Sequence, residues 1–194
     1  MKALSCGIVL AVPLFLCGAD TTAASAQLLN LQGKPLIELA PAGAHVVVTI
    51  FAATDCPISN RYIPEIARLE TAFAGSGVAF WWVFPNPDDS ADVVRKHNQE
   101  FSIHTPTLID GEQKLVRMAN AAVTPEAAVF RVEGANLRLL YHGRIDDRYI
   151  AFGQERPQAS GHDLEEAIRA VLAGKPAPVP GGPAVGCSIV PRTP

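Results

Sequence analysis

None of the four cysteines in this chain has a second cysteine three residues away, and none of the five histidines, His45, His97, His104, His142 and His162, has a partner at i,i+4. Those absences remove the usual local signatures of a zinc site. No Gly-x-Ser-x-Gly elbow is present, so serine-hydrolase chemistry has no nucleophile turn to use. Charged residues make up 18% of the chain and the formal net charge is −3, which supplies no basic surface for nucleic acid. Internal repeats are also missing. At 48% hydrophobic the composition is that of one globular domain with a sizeable core.

The apolar stretch Ala3–Leu16 falls short of the ~20 residues needed to span a bilayer and is interrupted by Pro13. Lys2 precedes it and Ala24-Ser25-Ala26 follows, so residues 1–26 read as a signal peptide cleaved after Ala26, rather than as a membrane anchor. A lipid anchor on Cys17 is disfavoured by the bulky Leu16 before it, although Leu14 suits such a motif. The expected location is therefore secreted or periplasmic, with no stable membrane span after cleavage. Cleavage would discard Cys6 and Cys17 and leave Cys56 and Cys187, 131 residues apart. In an oxidising compartment such a pair reads first as a disulfide, and either a structural staple or a catalytic couple satisfies the count.

His45–Phe73 is the stretch that carries chemistry. His45–Phe51 is a short β-branched apolar run, as a buried central strand requires. A loop with Thr54 and Asp55 leads to Cys56. Pro57 follows in a place where a helix tolerates proline, and Ile58, Tyr62, Ile66, Leu69 and Phe73 recur at helical spacing. Cys56 is thus expected at a helix N-terminus, where unpaired N–H groups and the helix dipole favour the thiolate.

This segment resembles the active-site region of the thioredoxin superfamily, in particular its redoxin branch of TlpA-like and peroxiredoxin-like proteins. Pro64, eight residues after Cys56, matches the helix-kinking proline of that superfamily. The resemblance implies an α/β thioredoxin-like fold: a central mixed β-sheet flanked by helices, with a redoxin-type insertion. Two departures are plain. Ser59 stands where dithiol members carry a second cysteine, and Ala53 stands where true peroxiredoxins carry threonine, Thr54 being one place too late. Copper chaperones of the same fold use two closely spaced cysteines, which this chain lacks.

The rest of the chain divides into a domain over residues 27–174 and a Pro/Gly-rich C-terminal tail over 175–194 that carries Cys187. In the lead-in, Leu36, Ile37 and Leu39 are candidates for a short edge element. Val78–Phe84 reads as a second strand and residues from about Asp89 to Phe101 as a helix, whose acidic start and basic end complement its dipole without further function. A short strand in Thr105–Asp110 and a helical piece near Gln113–Ala121 match the insertion. The resemblance implies a cis Thr124-Pro125 bond facing Cys56; without the resemblance, a trans proline opening an edge strand is the ordinary reading. Ala127–Val132 and Leu137–Tyr141 form a hairpin around Glu133–Asn136. Gly143–Asp146 matches a redoxin Gly-x-x-Asp turn, and Arg144 within it could either reach the thiolate or fasten a loop. Tyr149–Gly161 reads as a long irregular loop and Asp163–Leu172 as an amphipathic helix.

These readings lead to a thiol-dependent oxidoreductase. Cys56 is the candidate attacking thiolate and Cys187 the candidate resolving thiol on a mobile tail, as the resemblance to 2-Cys peroxiredoxins implies. Thr54, Asp55, Pro57, Ser59, Thr124, Pro125 and Arg144 are candidate supports. Expected partners are protein thiols or disulfides, or a peroxide, and a separate reductant, with no cofactor or metal. The competing reading is a binding module without activity, with Cys56 and Cys187 as a permanent staple.

Overall fold

A computed structural model describes residues 28–36 and 38–192. The signal-peptide reading, Cys6, Cys17 and Ile37 lie outside them. In chain order the elements are β1 (Leu29–Asn30), β2 (Val46–Phe51), α1 (Pro57–Ala72), β3 (Val78–Phe84), α2 (Ala91–Glu100), β4 (Thr107–Ile109), α3 (Lys114–Ala119), β5 (Val123–Thr124), β6 (Glu126–Glu133), β7 (Asn136–Gly143), β8 (Tyr149–Ala151), β9 (Gln154–Glu155), α4 (Asp163–Leu172) and β10 (Cys187–Ser188).

Six strands form one mixed sheet in the order β1-β4-β3-β2-β6-β7. The apolar run that marked β2 has its physical reason here: every residue of the strand is buried because both sheet faces are covered. On one face Val46, Val48 and Ile50 join Ala127 and Val129 of β6 against Ile58, Tyr62, Ile66 and Leu69 of α1 and Leu164 and Ile168 of α4. On the other, Val47 and Phe51 join Ala128 and Phe130 against Leu115, Val116 and Ala119 of α3. The alternation is the period-two rule of a strand, applied to a strand apolar on both sides. β2 runs parallel to β3 and antiparallel to β6, so Phe51, Val83 and Glu126 bring the active-site loop, the β3–α2 loop and the start of β6 to one end of the sheet.

Three sequence expectations need correction. The edge element of the lead-in is Leu29–Asn30, which pairs with β4; Leu36 and Leu39 pack on the core as irregular chain. Tyr149–Gly161 is not wholly irregular, because β8 and β9 make a small hairpin whose Tyr149 packs on Tyr62 at a centroid distance of 5.8 Å. α2 begins at Ala91, capped by the Ser90 hydroxyl accepting from Val93 N–H at 3.4 Å, so Asp89 precedes the helix instead of charging its first turn.

α4 matches Asp163–Leu172, and its inner face closes the sheet. Leu164→Ala is expected to cost ~2–5 kcal/mol of stability. Urea unfolding followed by circular dichroism should show a lower midpoint at unchanged slope.

Candidate active site

Cys56 caps α1, with Pro57 in the first turn, and its backbone N–H donates to the Ala53 carbonyl at 3.1 Å. The Thr124-Pro125 peptide bond across from it is cis. As a thiol, Cys56 Sγ donates to the Thr124 carbonyl at 3.0 Å, and the residue has 0% exposure. The thiolate form is favoured by the neighbouring Cys187 thiol and by the hydroxyl and backbone N–H of Ser59. Burial pushes the Cys56 pKa up, but these donors outweigh it and the net shift is downward. Cys187 moves the other way, pushed up to about 12 by burial, by its hydrogen bond to Cys56 and by the negative charges of Cys56 and Asp55. The two thiols are therefore shifted in opposite directions, and both sulfurs are free of disulfide here.

Cys187 does not arrive on a mobile tail. β10 pairs antiparallel with β5, Cys187 opposite Thr124 and Ser188 opposite Val123, and Ile189 N–H continues to the Ala122 carbonyl at 3.0 Å. Gly186 is required just before it: a Cβ there would lie 2.1 Å from the Thr124 carbonyl oxygen, which no side chain can accept. Both flanks are fastened. Upstream, Gly181 N–H donates to Asp163 Oδ1 at 2.7 Å, and Arg144 pairs with Asp163 Oδ2 at 2.9 Å beneath Gly181 and Gly182. Downstream, Ile189 is buried in the core, Val190 N–H donates to Asn86 Oδ1 at 3.2 Å, and Gln113 Nε2 donates to the Val190 carbonyl at 2.6 Å. Arg144 thus fastens a loop and the tail, and does not contact the thiolate.

The loop before Cys56 has a support that the sequence did not reveal. Asp89, almost fully buried, accepts from Thr54 N–H at 3.1 Å and from Thr54 Oγ1 at 2.6 Å, tying the loop to the β3–α2 connection. Burial raises the Asp89 pKa against the opposing pull of these bonds. Asn60 Nδ2 donates to the Thr54 carbonyl at 3.4 Å, and its Oδ1 meets His97 Nε2 at 2.8 Å. Since an amide oxygen only accepts, Nε2 carries the proton; burial lowers the His97 pKa and keeps the ring neutral. Ser90 as an N-cap was the signal that could have found Asp89, because it places the aspartate outside the helix. Among the other named residues, Asp55 and Pro57 are exposed, whereas Ser59, Thr124 and Pro125 are buried. Among the described residues no three His, Cys, Asp or Glu side chains converge in a way that could hold a metal ion, and no helix is long and apolar enough to cross a membrane.

Comparison with known families finds one match, Redoxin, over residues 18–142. The chain belongs to the Redoxin family. That places it in the redoxin branch of the thioredoxin superfamily, in agreement with its mixed sheet and its cysteine at a helix N-terminus across from a cis-proline. Among solved structures, the redoxin chain is similar to a hypothetical protein of Sinorhizobium meliloti 1021, at 25% identity and a TM-score of 0.68, covering 84% of this chain and 88% of that one. It is also similar to an uncharacterized conserved protein of Geobacillus kaustophilus, at 27% identity and a TM-score of 0.65, covering 86% and 88%. A secreted Mycobacterium tuberculosis disulfide oxidoreductase matches at 15% identity and a TM-score of 0.49, covering 76% and 94%. No curated protein matches.

The opposed shifts of the two thiols give a direct test. Absorbance at 240 nm should show one thiolate titrating below the ordinary cysteine range and the other near 12. Cys187→Ala removes a donor to the thiolate and should move the Cys56 midpoint upward. An unchanged midpoint would show that Ser59 and the helix terminus suffice.

Proposed function

We propose that this redoxin is a thiol–disulfide oxidoreductase whose working couple is Cys56 and Cys187. The observation that carries the reading is the register of β10 on β5, which lays Cys187 opposite Thr124, the residue whose carbonyl Cys56 Sγ meets at 3.0 Å. In the oxidative half-reaction the Cys56 thiolate attacks one sulfur of a substrate disulfide and the other leaves as a thiolate. Cys187, losing its proton as it attacks Cys56 Sγ, then releases the bound half of the substrate and closes the internal disulfide. Two electrons pass to the substrate. Cys56 has the lower pKa of the two and so the larger thiolate fraction at neutral pH, which is why it is the attacking group. Because Cys56 is covered, strand β10 must lift from β5 to admit a polypeptide, and the edge it vacates beside Pro125 is where an extended substrate would add as a strand.

A secreted or periplasmic setting, supported by the leader-like residues 1–26, would keep such a couple in use. The two-thiol arrangement favours this reading over a permanent staple, because the donors around Cys56 stabilise its reduced, ionised form.

Mass spectrometry with and without reductant should show a loss of two hydrogens and a Cys56–Cys187 linked peptide in the oxidised protein. Its reduction potential should lie above about −300 mV, the ceiling for structural disulfides. A lower value would make the bond a staple and overturn the proposal.

Ser59 supplies an independent check. It is buried in the first turn of α1, its Oγ makes no hydrogen bond, and its hydroxyl lies near enough to Cys56 to favour the thiolate. Ser59→Cys should build a local dithiol and give disulfide reductase activity that survives Cys187→Ser. A folded Ser59→Cys protein without that activity would mean that Cys56 is not placed to attack.

A further inference from the structure

Under the proposed couple, the hold on the two segments that carry Cys56 and Cys187 decides how readily a bond closes between them. Both segments are fastened to the same short connection, residues 85–90 between β3 and α2. Asp89 Oδ1 accepts from Thr54 N–H at 3.1 Å and from the Thr54 hydroxyl at 2.6 Å, two residues before Cys56. Asn86 Oδ1 accepts from Val190 N–H at 3.2 Å, three residues after Cys187. Gln113 completes the second hold, its Nε2 donating to the Val190 carbonyl at 2.6 Å and to the Pro85 carbonyl at 3.4 Å.

The connection is built to keep these two holds in a fixed relation. Asn86 followed by Pro87 is a turn sequence in which the proline presets φ, and Asp89 N–H closes the turn on the Asn86 carbonyl at 3.1 Å. Phe84, fully buried at the end of β3, fixes the entry, and Ser90, the cap of α2, fixes the exit. Asp89 is 3% exposed, so its carboxylate has no water to turn to if Thr54 is withdrawn.

We infer that the turn over residues 86–89 is a bracket for the redox couple, with Asn86 and Asp89 as positioning residues for the segments of Cys187 and Cys56. Each acts through the segment it holds. The pairing of β10 with β5 decides that Cys187 lies opposite Thr124, and the bracket decides how firmly the two sides are kept there. Its effect is on chain entropy: a dithiol whose segments are already immobilised loses little freedom when the disulfide closes. Releasing either segment makes that closure less favourable. Charge is not what the hold requires, because an amide oxygen at position 89, or a carboxylate oxygen at position 86, accepts the same bonds.

The test is the exchange equilibrium of the full chain with glutathione. One glutathione disulfide becomes two glutathione thiols as Cys56 and Cys187 lose two hydrogens and join. Samples at fixed ratios of the two glutathione forms are quenched in acid and alkylated, and the joined fraction is read by mass spectrometry. Asn86→Ala and Asp89→Ala should each lower the equilibrium constant for the internal disulfide by roughly three- to ten-fold, the range of one or two lost hydrogen bonds. The double variant should fall short of the product of the two effects, since one broken end already frees the pair. Asp89→Asn and Asn86→Asp keep an accepting oxygen and should stay within about two-fold of the unsubstituted protein. If Asp89→Ala does not fold, Thr54→Val removes the hydroxyl end of the same tie on a half-buried residue and should shift the constant in the same direction. Folded alanine or valine variants with an unchanged constant, or conservative variants that fall as far as the alanine ones, would overturn the inference while leaving the couple intact. If the unsubstituted protein forms no Cys56–Cys187 disulfide at any glutathione ratio, the couple itself fails and the inference with it.

Discussion

The backbone carbonyl of Thr124 is the point on which the site depends. It faces Cys56 Sγ at 3.0 Å, it precedes the cis-proline, its residue pairs with Cys187, and it leaves no room for a Cβ on Gly186. A buried carbonyl must be satisfied, and here the thiol of the helix cap reaches it while the strand pairing and the Thr124 hydroxyl, donating to the Cys187 carbonyl at 3.4 Å, hold the C-terminal tail beside it. Displacing the cap or the tail changes what the other can contact. The sheet supplies the fixed frame, because β2 and β6 lie side by side with Phe51 opposite Glu126, so the loop that follows β2 and the proline that precedes β6 meet at one end.

Much of this frame was legible in the sequence because it is built from local patterns. The β-branched run of β2, the proline after Cys56, and the spacing of Ile58, Tyr62, Ile66 and Leu69 each follow from a periodicity set by the backbone. α4 was legible for the same reason. What escaped was whatever depends on a pairing distant in sequence. Nothing in Gly186-Cys187-Ser188 says that it lies against Val123 and Thr124, since a two-residue strand has no period of its own. Gln113 looked like an ordinary helix start, yet it clasps the Val190 carbonyl, and Asp89 looked like a dipole charge, yet it holds the loop before Cys56. Arg144 offered two readings from sequence; its ion pair with Asp163 selects the fastening one.

Under the proposed couple, the tail would stand in for a second cysteine in the first turn of α1. A local dithiol keeps its two sulfurs together through a few residues of helix. Here the same proximity is obtained through 131 residues of fold, at a greater cost in chain entropy, and it exists only while the fold does. In the chain-entropy description a bond closing so long a loop would stabilise the oxidised protein by ~4–5 kcal/mol against unfolding. The redox state and the stability of the domain are then linked quantities.

Two effects set the potential of such a couple, and they oppose each other. Fastening the tail on both sides of Cys187 keeps the thiols close and favours the disulfide. The donors that stabilise the Cys56 thiolate favour the reduced state, which is how a strongly oxidising couple arises. Each 1.4 kcal/mol of either is worth about 30 mV. Ser59 contributes a hydroxyl and an N–H to the second effect without contributing a sulfur to the first. Under the proposed couple, serine at this position favours the reduced state and leaves resolution to the strand, so that the chemistry would follow from where that strand is held.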